Sequence, residues 1–277
     1  MQVGENHYSC RYEGISHDFI VDLPNECAGA PLILMLHGYG QNAERFRADT
    51  EFEKTANPAG YAVVYVTGAP DPEDRTSAAG WNSGIGDSKK RDVEFLTALA
   101  EYLQKEYGTD AGRTCAVGFS NGAFMVHRLA AEAGDVFRTV VSVAGIMPRS
   151  VWEDRPSNCD VSVLQVTGEK DDLIPKKSDG SADAAMAPAI EDVMDYWAGA
   201  NGLAPAAEEA VGKKSVLKKY GNPSKSTQVW HLIVGDGRHS WPDETITGFD
   251  MNAMIVGFLD SAFDPVSESG LCDSLQE

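Results

Sequence analysis

Cysteine is scarce and scattered. The five residues Cys10, Cys27, Cys115, Cys159 and Cys272 form no C-x-x-C pair, which argues against zinc ribbons and redox dithiols of that spacing. An odd count suits a reducing compartment better than a complete disulfide set, with a Cys10–Cys27 bridge left open. Positive charge is also in short supply: 23 Lys plus Arg stand against 42 Asp plus Glu, a formal net charge of −19 with histidines neutral. A phosphate backbone is bound by Lys and Arg that displace its counterions, so nucleic acid is not expected as a partner. Long apolar runs are missing. Stretches such as Leu32-Ile33-Leu34-Met35-Leu36 fall far short of the about 20 residues that span a bilayer, so no membrane partner is expected. Residues Met1–Cys10 are polar and lack the apolar core of a signal peptide. As written the chain is expected in the cytoplasm, or outside the cell if it is a mature form.

What is present is a regular alternation of short apolar runs and amphipathic stretches. The runs Pro31–Leu36, Tyr61–Val66, Thr114–Phe119, Thr139–Val143 and Val161–Val166 suit strands buried on both faces of a parallel sheet. Between them, Asp92–Tyr107 places Val93, Leu96, Leu99, Ala100 and Leu103 on one helical face, with Glu94, Glu101 and Lys105 elsewhere. Asn121–Ala133, Ala185–Ala200 and Thr245–Leu259 are helical in the same way. Val216–Tyr220 and Thr227–Val234 flank the turn signal Gly221-Asn222-Pro223-Ser224 and predict an antiparallel pair. The fold class is α/β, a mostly parallel central sheet with helices on both faces. No repeat or linker divides the chain, so residues 1–277 are expected to form one domain with 1–15 and 265–277 peripheral. Lys176–Pro188 is expected to be a surface loop.

The chemistry concentrates at Gly118-Phe119-Ser120-Asn121-Gly122, which follows a strand-like run and opens a helix-like one. That is the setting of a nucleophile elbow, where glycines two residues either side of the serine let the backbone approach its neighbours. Ser120 then stands at the head of a helix, and the N–H of Asn121 can face a developing oxyanion. A serine hydroxyl needs a base and an orienting carboxylate, in the order Ser, Asp or Glu, His along such a chain. Of the six histidines, His7 and His17 precede the first long strand, His127 lies in a helix and His231 in a strand. His239 alone follows the last strand, in Gly235-Asp236-Gly237-Arg238-His239. Asp171 and Asp172 both follow the strand Val161–Val166, and the residues themselves leave the two even. Leu36-His37-Gly38-Tyr39-Gly40 suits the second oxyanion N–H, assigned to Tyr39 with Gly40 as the alternative. His37 would supply a supporting hydrogen bond.

From Phe19 to Leu259 the chain resembles the α/β-hydrolase esterases grouped with poly(3-hydroxybutyrate) depolymerases, feruloyl esterases and acetylxylan esterases (carbohydrate esterase family 1-like). The resemblance rests on His37-Gly38 with Gly40-Gln41, Gly80-Trp81-Asn82, Asp92-Val93 with Phe95-Leu96, and the elbow at Ser120. It continues through Gly168, Asp171, Pro175, Trp197, Asn201-Gly202, Gly237, His239 and Trp241-Pro242. It implies a triad of Ser120, Asp171 and His239, choosing Asp171 over Asp172. It also implies an acyl pocket bordered by Trp81 and Trp241, with the core as the other place for either; the two places are even for Trp81, and the pocket is preferred for Trp241. Two departures stand out: Leu203 where relatives often carry cysteine, and Arg238 where glycine precedes the histidine.

Other chemistries fail on spacing. Gly212-Lys213-Lys214-Ser215 lacks the earlier glycine of a phosphate loop, since Ala207 stands there, and Lys214 occupies the Ser/Thr position. No H-E-x-x-H occurs, and Gly38-Tyr39-Gly40 meets Ala43 where a dinucleotide fingerprint prefers glycine. No cofactor and no metal are expected. The elbow and its partners predict a serine carboxylic ester hydrolase, and the resemblance implies feruloylated or acetylated xylan as its substrate. By that resemblance feruloyl esterase comes first, then acetylxylan esterase, then polyhydroxybutyrate depolymerase. A non-catalytic carbohydrate-binding homologue is the reading of a different class.

Overall fold

The computed structural model describes residues 6–74, 76–174, 188–204, 207–222 and 224–263. Among these residues ten strands form one sheet: β1 (His7–Tyr12), β2 (Ile15–Asp22), β3 (Leu32–Leu36), β4 (Ala62–Val66), β5 (Thr114–Phe119), β6 (Thr139–Val143), β7 (Ser162–Gly168), β8 (Glu208–Val211), β9 (Ser215–Tyr220) and β10 (Val229–Val234). Their order is β1-β2-β4-β3-β5-β6-β7-β10-β9-β8. The central six, β4 to β10, run parallel, and two antiparallel strands close each side. This is the α/β-hydrolase fold.

The helices are α1 (Ala43–Thr50), α2 (Glu53–Ala56), α3 (Asp92–Tyr107), α4 (Asn121–Glu132), α5 (Arg149–Glu153), α6 (Ile190–Ala200), α7 (Glu244–Thr247) and α8 (Met251–Phe263). Strand alternation sorts the core into two layers. Leu32, Leu34 and Leu36 pack with Leu96 and Leu99 of α3, Met125 and Leu129 of α4, and Trp197 of α6. Ile33 and Met35 face the other way, onto Phe46 of α1, Phe52, and Ile255, Phe258 and Leu259 of α8. Each fully buried Leu, Ile or Phe contributes about 1.5–3 kcal/mol, so the central strands are the stable frame.

One stretch departs from the sequence pattern. Thr245–Leu259, expected as one helix, is broken into α7 and α8 because Gly248 takes φ 79° and caps α7. Within residues 1–15, expected to be peripheral, β1 is the outermost strand, its six residues paired with β2 at the sheet edge. Cys10 and Cys27 are both free thiols, so the bridge left open between them is not formed. The loop Lys176–Pro188, apart from Pro188, and the segment from Pro265 lie outside the described residues. No described helix is long and apolar enough to cross a membrane.

Candidate active site

The parallel strands end in register, Leu36 beside Gly118 and Gly168 beside Val234. The loops that follow β3, β5, β7 and β10 therefore meet at one edge, the carboxyl edge where α/β sheets place their ligands. Ser120 occupies the turn from β5 into α4 with φ 51° and ψ −116°, a strained conformation that α4 and its neighbours enforce. The flanking glycines are demanded by contact. A Cβ on Gly122 would lie 2.0 Å from the Leu36 carbonyl oxygen, and one on Gly118 would lie 2.2 Å from that of Gly122.

Ser120 Oγ lies 2.9 Å from His239 Nε2, and His239 Nδ1 lies 2.9 Å from Asp171 Oδ2. An ionised carboxylate only accepts, so Nδ1 carries the proton and Nε2 is left to accept from the serine hydroxyl. Asp171 is fully buried, and its other oxygen accepts the N–H groups of Leu173 at 2.9 Å and Ile174 at 3.2 Å. Burial would raise its pKa, but the hydrogen bond from His239 and the two backbone donors outweigh it and hold the carboxyl below its ordinary value. Asp172 is exposed.

The acid and histidine loops are stitched together. Lys170 N–H donates to Gly237 O at 2.7 Å, and Glu169 N–H to Val234 O at 2.9 Å. Lys170 Nζ lies 2.7 Å from Asp236, which also pairs with Lys214. Hydrogen bonds from these two ammonium groups hold the Asp236 carboxyl down to about 2.

On the other side of Ser120, the β3 loop offers one uncommitted donor. Gly38 N–H is taken by the Gln41 side chain at 3.1 Å and Gly40 N–H by Ala79 O at 2.7 Å. Tyr39 N–H has no protein acceptor among the described residues, and neither does Asn121 N–H at the head of α4. His37 accepts from Gly68 N–H through Nε2 at 2.9 Å, so its Nδ1–H donates to Gly38 O at 2.7 Å. Burial, against the opposing Gly38 hydrogen bond, lowers its pKa to about 4 and keeps the ring neutral.

A cleft of about 670 Å³ opens beside Ser120. Tyr39, Ala78, Trp81, Ile85 and Phe124 supply its apolar lining, and Asp71, Glu73, Asp74 and Asp87 its carboxylates. Trp81 belongs to both places considered for it: it lines the cleft, yet is only 5% exposed within the core. Trp241 does not line the cleft, contrary to expectation. The chain turns after His239, so the indole packs edge-on against Phe46 and donates to Asn252 Oδ1 at 3.2 Å. Phe124 was missed, although its place four residues after Ser120 in α4 puts it on the same helical face. Lys90 and Asp92 were missed as a pair: both are buried with nitrogen and oxygen 3.3 Å apart. Among the described residues, no group of three or more His, Cys, Asp or Glu is placed to hold a metal ion.

A serine hydrolase (FSH1) family model matches residues 29–199, more than half of the chain. The chain belongs to that serine hydrolase family. Over 257 residues it is 31% identical to "Putative esterase NocK" of Nocardia uniformis subsp. tsuyamanensis, covering 84% of this chain and 70% of that protein. It is 24% identical to the bifunctional acetylxylan esterase/xylanase XynS20E of Neocallimastix patriciarum, over 59% of this chain and 23% of that protein. It is 26% identical to feruloyl esterase B of Talaromyces stipitatus, over 45% of this chain and 34% of that protein. The match therefore spans about a quarter to a third of those two xylan-related proteins. Among solved structures, the acetyl xylan esterase from Aspergillus awamori superposes with a TM-score of 0.65 at 13% identity, covering 89% of this chain and 94% of that one. The likeness at that identity is one of fold.

Three buried histidines of this serine hydrolase give its stability an acid limb. His127 is buried between Gln165 and Trp197, and His231 beside Thr167. Burial lowers the pKa of each to about 4, as it does for His37. A folded pKa below the unfolded value near 6.5 means that only the unfolded chain takes up protons between about pH 6.5 and 4. Stability is therefore full above that window and falls as pH drops through it, by about 1.4 kcal/mol per unit for each ring and about 4 for the three. Urea denaturation at pH 7, 6 and 5 measures this. A midpoint independent of pH across that range would show that the rings titrate normally in the fold.

Proposed function

We propose that the chain is a carboxylic ester hydrolase that works through an acyl-enzyme, with Ser120 as nucleophile. The observation that carries this is the unbroken hydrogen-bonded line from buried Asp171 through His239 to Ser120, ending at the cleft. His239 Nε2 takes the hydroxyl proton as Ser120 Oγ bonds to the ester carbonyl carbon. The carbonyl oxygen becomes an oxyanion facing Tyr39 N–H and Asn121 N–H. Collapse breaks the bond to the alcohol oxygen, which leaves with the proton from His239. Water, deprotonated by the same ring, then releases the acid. Asp171 fixes the tautomer throughout.

For the substrate we take an aromatic acyl group, a hydroxycinnamate such as ferulate, esterified to xylan. Tyr39 and Phe124 offer aromatic surface beside Ser120, to which the nearly buried Trp81 adds an edge, and this suits a phenolic ring. The four carboxylates around them accept hydrogen bonds, which suits sugar hydroxyls and disfavours an anionic substrate. The names of the xylan-related relatives agree with this substrate class. The test is kcat/KM on methyl ferulate beside acetylated xylan. Ferulate is expected to win by tenfold or more, about 1.4 kcal/mol of transition-state preference. A preference for acetyl would overturn the aromatic pocket and make acetylxylan the substrate.

A further inference from the structure

Resting on the reading that Ser120 is acylated with the Tyr39 and Asn121 N–H groups around the oxyanion, we propose that Lys90 is a positioning residue. With Asp92, it holds the oxyanion loop in place through the segment Gly80–Asn82. The Lys90 ammonium is buried and faces three acceptors, Gly80 O at 2.5 Å, Ala69 O at 2.6 Å and Asp92 Oδ2 at 3.3 Å. An ammonium is a compact charge with three donors, so it can hold two carbonyls and a carboxylate that no neutral side chain would satisfy together. Asp92 Oδ2 also accepts Asn82 N–H at 2.6 Å, and Asn82 Nδ2 donates to Lys90 O at 2.6 Å. The pair thus grips the segment at both ends.

What the segment touches is the proposed oxyanion hole. Ala79 O, one residue upstream, accepts Gly40 N–H next to Tyr39. Trp81 Nε1 donates to His37 O at 3.0 Å, and Trp81 N–H donates to Asn121 Oδ1 at 2.7 Å. Gly80 is boxed in, since a Cβ there would lie 2.9 Å from the Tyr39 ring and 3.0 Å from Asn121 Oδ1. Both proposed donors therefore rest on backbone that the ammonium anchors. Displacement of a reacting group by about 1 Å can cost a hundredfold in rate.

The test is the double variant K90M/D92N, which removes both charges at nearly constant volume, because K90M alone would strand a buried carboxylate. R47M serves as comparison. It loses contacts to Asp22 and Glu53, and Asp22 pairs with Val63 at the opposite end of the sheet. Melting temperature, KM and kcat on p-nitrophenyl acetate are measured, together with inhibition by an alkylboronic acid that bonds to Ser120 and mimics the tetrahedral adduct. In K90M/D92N, kcat and boronate affinity are expected to fall together by about 10–100-fold, with KM within twofold of wild type. R47M is expected to lower the melting temperature alone. If the double variant does not fold, K90R is judged by the same criteria, because a planar fork keeps the charge but cannot reproduce the three-way hold. A kcat within twofold of wild type overturns the proposal, as does a loss of kcat with boronate affinity unchanged. If wild type neither hydrolyses the ester nor takes a fluorophosphonate on Ser120, the reading of the site itself falls, and this proposal with it. If wild type does both and the variant keeps its rate, Lys90 alone has been misassigned.

Discussion

Replacing Ser120 by alanine is expected to lower kcat for ester hydrolysis by about 10⁴–10⁶-fold while the melting temperature stays nearly constant. Removing Oγ removes the atom that forms the acyl bond, and no other hydroxyl is within reach of His239 among the hydrogen bonds of the described residues. The residual rate would come from the Tyr39 and Asn121 donors and from substrate binding, which together leave roughly 10³–10⁴-fold over water in serine hydrolases stripped of their nucleophile. The fold has little to lose. Ser120 and His239 are only partly buried, so water replaces the lost hydroxyl at Nε2. The strained φ of 51° at position 120 is imposed by β5 and α4 on either side chain. Steady-state kinetics on p-nitrophenyl acetate and mass spectrometry after fluorophosphonate treatment check the two halves of the claim. A variant that keeps a tenth of the rate would remove Ser120 from the chemistry. A wild type that does not turn over would favour a binding module that has kept the architecture.

Much of this was legible in the sequence because buried parallel strands leave a plain signal. Leu32–Leu36 and Ala62–Val66 are apolar throughout because both faces are covered. β1 and β8 were illegible for the opposite reason. His7–Tyr12 and Glu208–Val211 lie at sheet edges, where polar residues are half or fully exposed and only the pairing partner makes them strands. The residues around Ser120 could be found because glycine and strand ends punctuate them. Lys90 could not, since a lysine beside Lys89, Arg91 and Asp92 looks like a solvated turn, and its burial exists only once Ala69 and Gly80 close over it. Trp241 failed in the other direction. Its nearness to His239 in sequence suggested the pocket, but a chain reversal delivers the ring to α1 and α8, a fact of packing that spacing does not carry.

Asp171→Asn is expected to lower kcat by about 10³–10⁴-fold with KM nearly unchanged, the second largest effect, and the reason is the identity of one hydrogen. In the wild type, Asp171 Oδ2 accepts from His239 Nδ1 while Oδ1 accepts from Leu173 and Ile174. Asparagine keeps one oxygen, and the two backbone N–H groups claim it because neither can turn away. Its NH₂ is then aimed at Nδ1, which must give up its proton to accept. The proton moves to Nε2, the nitrogen that should receive the serine hydroxyl, so the base arrives already protonated. Packing and shape hardly change, and the loss falls on kcat. Asp172→Asn separates this account from a general effect of charge, because it removes the same charge from the neighbouring residue, whose side chain is exposed. It is expected to leave kcat within about twofold, an exposed charge being screened by solvent. Equal losses in the two variants would mean that the negative field of the loop matters and the tautomer does not. A thousandfold split, read on the same ester at the same pH, identifies Asp171 as the residue that orients the imidazole.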